Sequence, residues 1–325
     1  MFPLLPSISA FLSAHPKGVL VVTGPTCSGK TNIAVKIAHS LSSYSPVPLT
    51  KGVQEWQEEI INADSRQMFA DLSTTTASPT EEEKQGVPHH LFETLCPDTP
   101  ITVVEWKTMA ETKIAEVLSR GNIPILCGGT GLYLNALTKG FLFGTCPPNP
   151  ALRSVLDTFS HTELWERLHS VDPEKAQKIG PQNKKYLIRA LEIFEILQKP
   201  DAPRLEAVAH DFFLVGVVLP RKILYEKINA RVEKMFAEGF LEEVEALLKK
   251  YPSVPAEDSG FQAHGVPEAI QYFQGKISRE DLKEKMKQNT RKYAKRQLTW
   301  WRRDERVHWI LGDTEEEVDI MDEQF

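Results

Sequence analysis

Short apolar runs alternate with amphipathic segments through the first part of the chain. The β-branched run at 18–23 and the apolar runs at 59–63 and 123–127 have the length and composition of buried strands. Between them, 31–41 and 102–121 carry apolar residues at helical spacing. Strands that alternate with helices pack as a parallel sheet with helices on both faces, so the pattern predicts an α/β fold.

The second part of the chain has a different pattern. A proline-containing stretch at 144–150 is typical of a linker, and 151–199 is helical in pattern throughout. The apolar run at 211–219 returns to the strand pattern, and long helical segments follow at about 222–250 and 278–299. We therefore predict a small helical insertion, followed by the remainder of the sheet and its helices.

Three segments lack a clear period. The N-terminal residues 1–17 are apolar but interrupted by Pro3 and Pro6, which predicts a loose arm. The polar, proline-broken segment 43–57 is interpreted as a surface insertion. The segment 71–100 is rich in Thr, Pro and Glu, and it predicts a long loop of the kind that often carries binding groups.

A glycine-rich motif lies between the first predicted strand and the first predicted helix. It has the form G-x-x-x-x-G-K-T and consists of Gly24, Pro25, Thr26, Cys27, Ser28, Gly29, Lys30 and Thr31. In such a P-loop, backbone N–H groups and the helix N-terminus cradle an anionic phosphate. Lys30 adds a positive charge, and the Thr31 hydroxyl can hold Mg²⁺.

These patterns together predict an α/β fold with a P-loop parallel-sheet core, an inserted helical domain and a helical C-terminal segment. We expect an N-terminal arm over 1–17, the P-loop core over 18–143 and the helical insertion over 144–206. The remainder, 207–325, completes the core and contributes basic helices.

The P-loop alone does not decide the reaction. An NTPase of this architecture usually carries a strand-end Asp that helps to hold Mg²⁺, but the strand at 123–127 runs into a Gly-Gly-Thr-Gly sequence without a carboxylate. Asp64 follows another predicted strand. As a Mg²⁺ ligand Asp64 would suit a kinase, and as a general base it would suit proton removal from a weak nucleophile, with Ser65 and Gln67 able to contact a nucleobase edge.

The distribution of charge favours a polyanionic partner. The net charge is −6, but 276–306 contains twelve Lys or Arg and five Asp or Glu, a local charge of +7 that leaves −13 for the rest. Four basic residues repeat every four positions: Lys283, Lys287, Arg291 and Lys295. This face predicts nucleic-acid binding, with a solvated charged helix as the alternative. The aromatic residues Tyr293, Trp300, Trp301 and Trp309 would stack on bases or, more often, belong to the core.

Several other classes of site are not indicated. The four cysteines, Cys27, Cys96, Cys127 and Cys146, form no C-x-x-C pair and are interpreted as reduced cytosolic thiols. His89 and His90 lack partners at ligand spacing, so loop structure or substrate positioning is favoured over a metal site. No run of eighteen apolar residues occurs, so we expect no membrane span and a cytoplasmic location.

Six motifs resemble one family in order and spacing. They are GPTCSGKT, INADSRQMF, GVPHHL, IPILCGGTGLYLNAL, RALEIF and YAKRQLTWWRRD. Over about 18–310 the chain is similar to the tRNA dimethylallyltransferases, also called tRNA isopentenyltransferases. The resemblance implies transfer of a dimethylallyl group from dimethylallyl diphosphate to N6 of the adenosine 3′ to the anticodon, with release of diphosphate and with Mg²⁺ as cofactor.

The resemblance also implies roles for individual residues. Asp64 would be the base that takes a proton from N6, and Thr26 would face the same amine. Lys30, the loop amides, Mg²⁺ at Thr31 and Arg221 would meet the charge that develops on the diphosphate. The allylic carbon would need a dry, apolar pocket, because water would otherwise capture it.

The tRNA anticodon arm is the expected macromolecular partner. The residues implied or proposed to contact it are Asp64, Ser65, Arg66, Gln67, Thr130, Arg153, Lys185, Arg189, Lys287, Arg291 and Lys295. The sequence departs from the family pattern at Asn183, at Lys185-Tyr186 and at Val266-Pro267. These departures leave the catalytic set intact and bear on how the RNA is held.

Two other enzyme classes and one binding class stay open at this point. An adenylate isopentenyltransferase uses a related sheet and loop but has less need of the helical insertion and the basic helix. A P-loop small-molecule kinase would need the strand-end Asp that is missing. A catalytically silent RNA-binding protein would not need Lys30, Thr31 and Asp64 together. We expect a monomer.

Overall fold

A computed structural model of the chain describes residues 2–43, 58–142, 148–197, 204–205, 207–252, 259–322 and 324–325. The chain divides into two compact units. The core unit comprises 1–139 and 208–325, and the helical unit comprises 140–207. Most of the predicted surface insertion at 43–57 and most of the predicted linker at 144–150 lie outside the described residues.

Six of the eight strands in the described residues form a parallel sheet in the core unit. In chain order they are β1 (Val19–Thr23), β2 (Glu58–Asn62), β3 (His89–His90), β4 (Ile123–Cys127), β5 (Phe141–Leu142), β6 (Arg204–Leu205), β7 (Phe212–Val218) and β8 (Val307–Leu311). The sheet has the order β3-β2-β4-β1-β7-β8, and every neighbouring pair is parallel. The predicted α/β fold is confirmed. β5 and β6 form an antiparallel pair in the helical unit.

Helices cover both faces of this sheet. Those of the core unit are α1 (Leu5–Ala14), α2 (Lys30–Ser43), α3 (Ser73–Thr76), α4 (Glu81–Lys84), α5 (Val103–Ser119) and α6 (Gly131–Thr138) before the helical unit. The helical unit contains α7 (Pro150–Asp157), α8 (His161–Val171), α9 (Pro173–Ile179) and α10 (Lys184–Leu197). The core unit then continues with α11 (Arg221–Ala237), α12 (Phe240–Lys250), α13 (Val266–Phe273) and α14 (Arg279–Trp301).

Alternation along β1 explains the two layers of the core. Val19 and Val21 belong to an apolar cluster that includes residues of α5, α6 and α11 to α14. Leu20 and Val22 belong to a second cluster that includes residues of α1 and α2. Because successive side chains of a strand point to opposite faces, one continuous apolar strand contributes to both layers. This burial on both faces is why the strands read as unbroken apolar runs.

The structure corrects three expectations for the core unit. The N-terminal residues are not a loose arm, because α1 buries Leu5 and Ile8 in the cluster on its side of the sheet. The segment 71–100 is not entirely a loop, since it contains α3, α4 and β3. The predicted helix at 222–250 is divided into α11 and α12 at Gly239, whose φ of +94° is incompatible with a continuous helix.

The helical unit has its own small core. Leu164 and Leu168 of α8 pack with Leu187 and Leu191 of α10 in one buried cluster. Ser160 caps α8 through a reciprocal hydrogen-bond pair with Glu163, which explains where that helix begins. The observed bounds of this unit are 140–207, against the predicted 144–206.

Candidate active site

The glycine-rich loop joins β1 to α2 with a backbone that requires glycine. Gly24 has a φ of +147°, and a Cβ placed there would lie 2.2 Å from the carbonyl oxygen of Val217 on β7. Gly29, with a φ of +93°, ends the loop immediately before α2 begins at Lys30. The loop therefore leads directly into the N-terminus of a long helix, which is the geometry of a phosphate site.

Within this loop, the Ser28 hydroxyl differs from the Pro25 carbonyl in having no protein partner among the described residues. The carbonyl oxygen of Pro25 accepts hydrogen bonds from the N–H of Ser28 at 3.3 Å and from Nζ of Lys30 at 3.5 Å. The Ser28 side chain is fully buried, and its hydroxyl has no hydrogen-bond partner among the described residues. An unpaired buried hydroxyl is costly, so this loop is arranged to receive a polar ligand.

A second loop presents Asp64 at the carboxyl end of β2. Oδ1 of the buried Asn62 accepts from the N–H of Asp64 at 2.8 Å, and Nδ2 of Asn62 donates to the carbonyl oxygen of Leu91 at 2.9 Å. Oδ1 of Asp64 accepts from the N–H of Arg66 at 2.9 Å. In the described part of the chain, no protein group hydrogen-bonds the other carboxylate oxygen, Oδ2. Asp64 is therefore held at one oxygen and available at the other.

Thr130 fixes the end of β4 against this second loop. Its Oγ1 accepts from the N–H of Ser65 at 3.0 Å, next in the chain to Asp64. A Cβ at the preceding Gly128 would lie 2.1 Å from the backbone of Ala63, so only glycine allows the two chain segments to approach this closely. The predicted residue Thr130 therefore positions the Asp64 loop directly.

The two loops face one pocket. Thr26 of the P-loop and Asp64 of the second loop both line it, together with Arg231 of α11. Its other walls include apolar side chains of α11 and α14, namely Ile228, Val232, Met235 and Met286. A phosphate loop, a free carboxylate oxygen and an apolar wall thus meet in one cavity.

His264 and Tyr293 form the aromatic part of the same pocket. Their ring centroids are 4.5 Å apart. Burial raises the pKa of the Tyr293 hydroxyl, and the neighbouring Asp64 carboxylate raises it further. Burial lowers the pKa of His264 below its ordinary value. Both rings are therefore uncharged near neutral pH, so neither adds a charge beside Asp64.

Arg231 is a functional candidate that the sequence analysis missed. Its Nη1 donates to Oγ1 of Thr26 at 3.2 Å and to Sγ of Cys27 at 3.4 Å, and its Nη2 donates to the carbonyl oxygen of Thr76 at 3.2 Å. The available signal was a cation beside the buried stripe of α11, three residues after Ile228 and one before Val232. Arg231 places a second cation beside the P-loop.

Arg221, which was predicted to meet the diphosphate, lies elsewhere on α11. Its Nη2 donates to the carbonyl oxygen of Phe325 at 2.6 Å, and its N–H donates to the carbonyl oxygen of Gln324. About ten residues of helix, or roughly 15 Å, separate the two arginines along α11. We therefore correct the assignment, because the guanidinium that contacts the loop is that of Arg231.

Two of the predicted tRNA-contacting residues, Gln67 and Arg66, are engaged by the protein. Nε2 of Gln67 donates to the carbonyl oxygens of Thr76 and Ala77 at 3.3 and 2.9 Å. Nη1 of Arg66 donates to the carbonyl oxygen of Ser259 at 2.9 Å. Gln67 therefore retains only its Oε1 for a ligand, and its main role in this structure is to hold the turn after α3.

The predicted basic face of α14 is divided into two parts. Lys283 and Lys287 contact Glu233 of α11 at 2.6 and 2.9 Å, and their hydrogen bonds lower the pKa of Glu233 to about 2. Arg291 donates to Oδ1 of Asn229 at 2.6 Å. This half of the face therefore helps to hold α14 on α11, and the assignment of Lys287 and Arg291 as tRNA contacts stays a prediction.

The other half of α14 carries an open basic groove. It is lined by Lys292, Lys295, Arg296, Thr299, Trp300 and Arg303. Trp300 is 44% exposed and lies over Gly131, where a Cβ would meet its indole at 2.5 Å. Trp301 and Trp309 are buried in the core. Of the four predicted basic residues, only Lys295 lines this groove.

The predicted RNA-contacting residues of the helical unit surround one buried carboxylate. Nε and Nη2 of Arg153 donate to the two oxygens of Glu192 at 2.9 and 3.0 Å, and Arg189 also pairs with Glu192. Glu192 is fully buried, whereas both arginines keep about a third of their side-chain surface exposed. Lys185 and Tyr186 are exposed. The role of these residues in RNA binding stays a prediction.

His89 and His90 form β3 and have different surroundings. Nε2 of His90 contacts Oε2 of Glu59, a carboxylate that also binds Arg120 and Asn122. Burial lowers the pKa of His89. His90 is thus part of a polar network at the edge of the sheet.

Within the described residues, none of the helices has the length and apolar character needed to cross a bilayer.

Comparisons with known proteins give one consistent result. Residues 67–304 match the model of a family described as IPP transferase. A tRNA dimethylallyltransferase of Acetivibrio thermocellus is 36% identical over 91% of this chain and 92% of its own length. One of Petrotoga mobilis is 38% identical over 94% of this chain and 97% of its own length. The crystal structure of the full-length tRNA isopentenylpyrophosphate transferase of Bacillus halodurans is 32% identical, with a TM-score of 0.65, and covers 90% of this chain and 89% of that one.

Proposed function

The chain belongs to the IPP transferase family and acts on tRNA as a prenyltransferase, and we propose that it transfers the dimethylallyl group of dimethylallyl diphosphate to N6 of the adenosine 3′ to the anticodon. In this reaction N6 forms a bond to the allylic carbon, the bond from that carbon to the diphosphate oxygen breaks, and diphosphate leaves with the bonding electrons. The proton lost by N6 passes to a base.

The observation that carries this proposal is the pocket shared by Thr26, Asp64 and Arg231. The adenine amine is a weak nucleophile because its lone pair is delocalised into the ring. A carboxylate that accepts its proton as the new bond forms therefore lowers the barrier. Oδ2 of Asp64, which has no hydrogen-bond partner in the described part of the chain, would be that acceptor.

The phosphate loop supplies the complementary half of the reaction. Departure of diphosphate concentrates negative charge at the P-loop, and Lys30 and Arg231 both carry positive charge next to it. Preorganised cations and N–H groups stabilise such charge more than they stabilise the bound ester. Lys30 and Arg231, with the amides at the start of α2, would therefore favour breakage of the carbon–oxygen bond.

The residues around the loop also fit a magnesium ion bound through the diphosphate. The Thr31 hydroxyl lies beside the Cys127 thiol, and burial raises the pKa of that thiol to about 11, so it stays protonated. No group of three or more His, Cys, Asp or Glu among the described residues could hold a metal. Mg²⁺ commonly takes one or two protein oxygens plus phosphate and water oxygens, and Thr31 would be its protein ligand. When bound, Mg²⁺ neutralises charge on the departing diphosphate.

The apolar wall protects the reacting carbon from water. Ile228, Val232, Met235 and Met286 line the pocket that contains Thr26 and Asp64. An allylic carbon that loses its leaving group is readily captured by water, so exclusion of solvent decides whether adenine or water is the acceptor. A five-carbon chain packed on this wall would be shielded from water while adenine attacks.

The basic groove of α14 favours tRNA over a free nucleotide as acceptor. Lys292, Lys295, Arg296 and Arg303 line an open groove with the exposed ring of Trp300. Phosphate neutralisation by several cations and stacking on an aromatic ring are the usual features of a surface for single-stranded RNA. AMP, ADP or ATP would need no such surface.

We expect the enzyme to act as a monomer, which size-exclusion chromatography with light scattering tests.

One experiment separates the candidate functions. The protein is incubated with Mg²⁺ and dimethylallyl diphosphate, in parallel with an anticodon stem-loop or with AMP, ADP and ATP, and each acceptor is analysed by mass spectrometry. A gain of one C5H8 unit on the stem-loop, which disappears with Asp64→Asn, is the expected result. Transfer to free nucleotides alone would make the protein an adenylate isopentenyltransferase. Phosphoryl transfer from ATP, without prenylation of either acceptor, would indicate a kinase.

A further inference from the structure

The side-chain amide of Gln297 on α14 joins the two loops that face the pocket. Its Oε1 accepts from the N–H of Thr26 in the P-loop at 2.8 Å. Its Nε2 donates to the carbonyl oxygen of Gly129, after β4, at 2.9 Å. Gln297 is 5% exposed, and a Cβ added to Gly129 would lie 2.2 Å from Nε2. The amide is therefore fixed between the loops and is shielded from solvent.

Each loop leads from this amide to a proposed catalytic group. On the P-loop side, the hydroxyl oxygen of Thr26 accepts a hydrogen bond from Nη1 of Arg231. On the other side, Gly129 is followed by Thr130, whose Oγ1 accepts from the N–H of Ser65, the residue after Asp64. The two loops that carry the diphosphate site and the carboxylate base are thus connected through one side chain that does not line the pocket itself.

We propose that Gln297 is a positioning residue that sets the distance between the leaving diphosphate and the base Asp64. This role rests on the proposed function, since it has meaning only if both groups act in one transfer. The neutral side-chain amide accepts at one end and donates at the other. A carboxylate would oppose the carbonyl oxygen of Gly129, and an apolar side chain would leave Thr26 N–H and Gly129 C=O unpaired.

The first test is Gln297→Met, which keeps the length of the side chain and removes both hydrogen bonds. Because a misplacement of about 1 Å can cost on the order of 100-fold in rate, we expect kcat to fall by roughly 10- to 100-fold. We expect the KM for dimethylallyl diphosphate and the KM for the stem-loop each to change by less than about threefold, because the groups that bind each substrate remain. Unfolding by circular dichroism is measured in parallel.

The second test is the pH dependence of Gln297→Glu. When protonated, a carboxyl group donates through its O–H and accepts through its other oxygen, so it replaces the amide. When ionised, it repels the carbonyl oxygen of Gly129, and burial favours the protonated form. We therefore expect Gln297→Glu to be strongly impaired near pH 8, since ionisation removes the donor. As the pH falls to about 6, its rate should recover at least about fivefold relative to the control.

The matched control is Gln288→Glu, the same chemical change at an exposed position of α14. Dividing the rate of Gln297→Glu by that of Gln288→Glu at each pH removes the pH dependence that the two variants share. A constant ratio across pH, or a kcat of Gln297→Met within threefold of the wild type, would overturn the proposal. If the wild type itself transfers no prenyl group, the proposed function has failed. If Gln297→Met does not fold, the pH ratio decides.

Discussion

Nη1 of Arg231 lies 3.2 Å from Oγ1 of Thr26 and 3.4 Å from Sγ of Cys27. The guanidinium of α11 therefore contacts the P-loop on the side that faces the pocket. Cys27 has a φ of +65°, in the left-handed region. The loop therefore turns sharply at the residue that the guanidinium contacts. This arrangement connects the position of a helix in the second half of the chain to a motif near its beginning.

The first prediction concerns this guanidinium. Arg231→Gln removes the positive charge, and we expect kcat/KM for dimethylallyl diphosphate to fall by about 100- to 1,000-fold, because loss of one charge-stabilising group costs about 2.7–4 kcal/mol. Steady-state kinetics with saturating stem-loop RNA measures the change. Lys227→Gln, at an exposed position of the same helix, is the control. An equal effect in both variants would show that only the net charge of α11 matters.

The second prediction concerns Asp64. Asp64→Asn removes the proton acceptor and keeps the shape of the side chain, so we expect kcat to fall by about 10²- to 10⁴-fold, the usual contribution of a general base. The Kd for diphosphate, measured by isothermal titration calorimetry with Mg²⁺, should stay within about threefold of the wild type, because the P-loop is unchanged. Asp98→Asn, at a half-buried position in the turn before α5, is the control. Retention of full kcat by Asp64→Asn would remove Asp64 from the mechanism.

The third prediction concerns the two halves of α14. Lys295→Gln removes a cation of the open groove, and we expect weaker tRNA binding and a salt slope, log K against log salt, that is smaller by about one. Lys285→Gln removes an exposed lysine that contacts Gln271 outside the groove. We expect the second variant to keep the wild-type slope. Filter binding at several salt concentrations measures both, and equal slopes in the two variants would contradict a specific role for the groove.

The fourth prediction concerns stability in acid. Hydrogen bonds from Arg306, with further support from Lys139, lower the pKa of the buried Asp304 to about 2 from an ordinary value of 3.8. Since the folded-state pKa is depressed, this carboxylate stabilises the fold fully above about pH 4, and the contribution is lost as pH falls toward 2. We expect Asp304→Asn to lower the free energy of unfolding at pH 7 by about 2 kcal/mol, because it removes the carboxylate that the two partly exposed cations contact.

Chemical denaturation at several pH values checks this last prediction. The difference between the wild type and Asp304→Asn should shrink as pH falls from about 4 toward 2, since the wild-type carboxyl becomes protonated there. Asp313→Asn, an exposed aspartate whose carboxylate accepts from the adjacent N–H of Thr314, is the control. A difference that stays constant with pH would show that the charge of Asp304 does not contribute.

Local signals in the sequence were sufficient for the parts of the site that are contiguous in the chain. The P-loop from Gly24 to Thr31 is one segment, and its function requires only a strand, a glycine turn and a helix N-terminus. The position of Asp64 after β2 follows from the rule that strand ends gather at one edge of a parallel sheet. The apolar runs of β1, β4 and β7 reveal their burial because both faces of the sheet are covered.

The remainder of the site depends on contacts between residues far apart in the chain. Whether Arg221 or Arg231 reaches the P-loop depends on how α11 packs on it, and both are ordinary cations in a helical pattern. The ladder that includes Lys287 predicts a single basic face, but Glu233 of α11 neutralises part of it. A sequence pattern records the face of each helix, not the charge of the helix packed against it.

The sequence by itself therefore determined the fold class, the phosphate loop, the candidate base and, through its motifs, the family. Only the tertiary structure decided which cation contacts the P-loop, which half of α14 is open and which side chain joins the two loops. In the sequence, Gln297 is an ordinary polar residue of a basic helical segment. In the folded chain its amide hydrogen-bonds Thr26 and Gly129. The physical reason is that hydrogen bonds and charge neutralisation act over a few ångströms in space, whatever the separation along the chain.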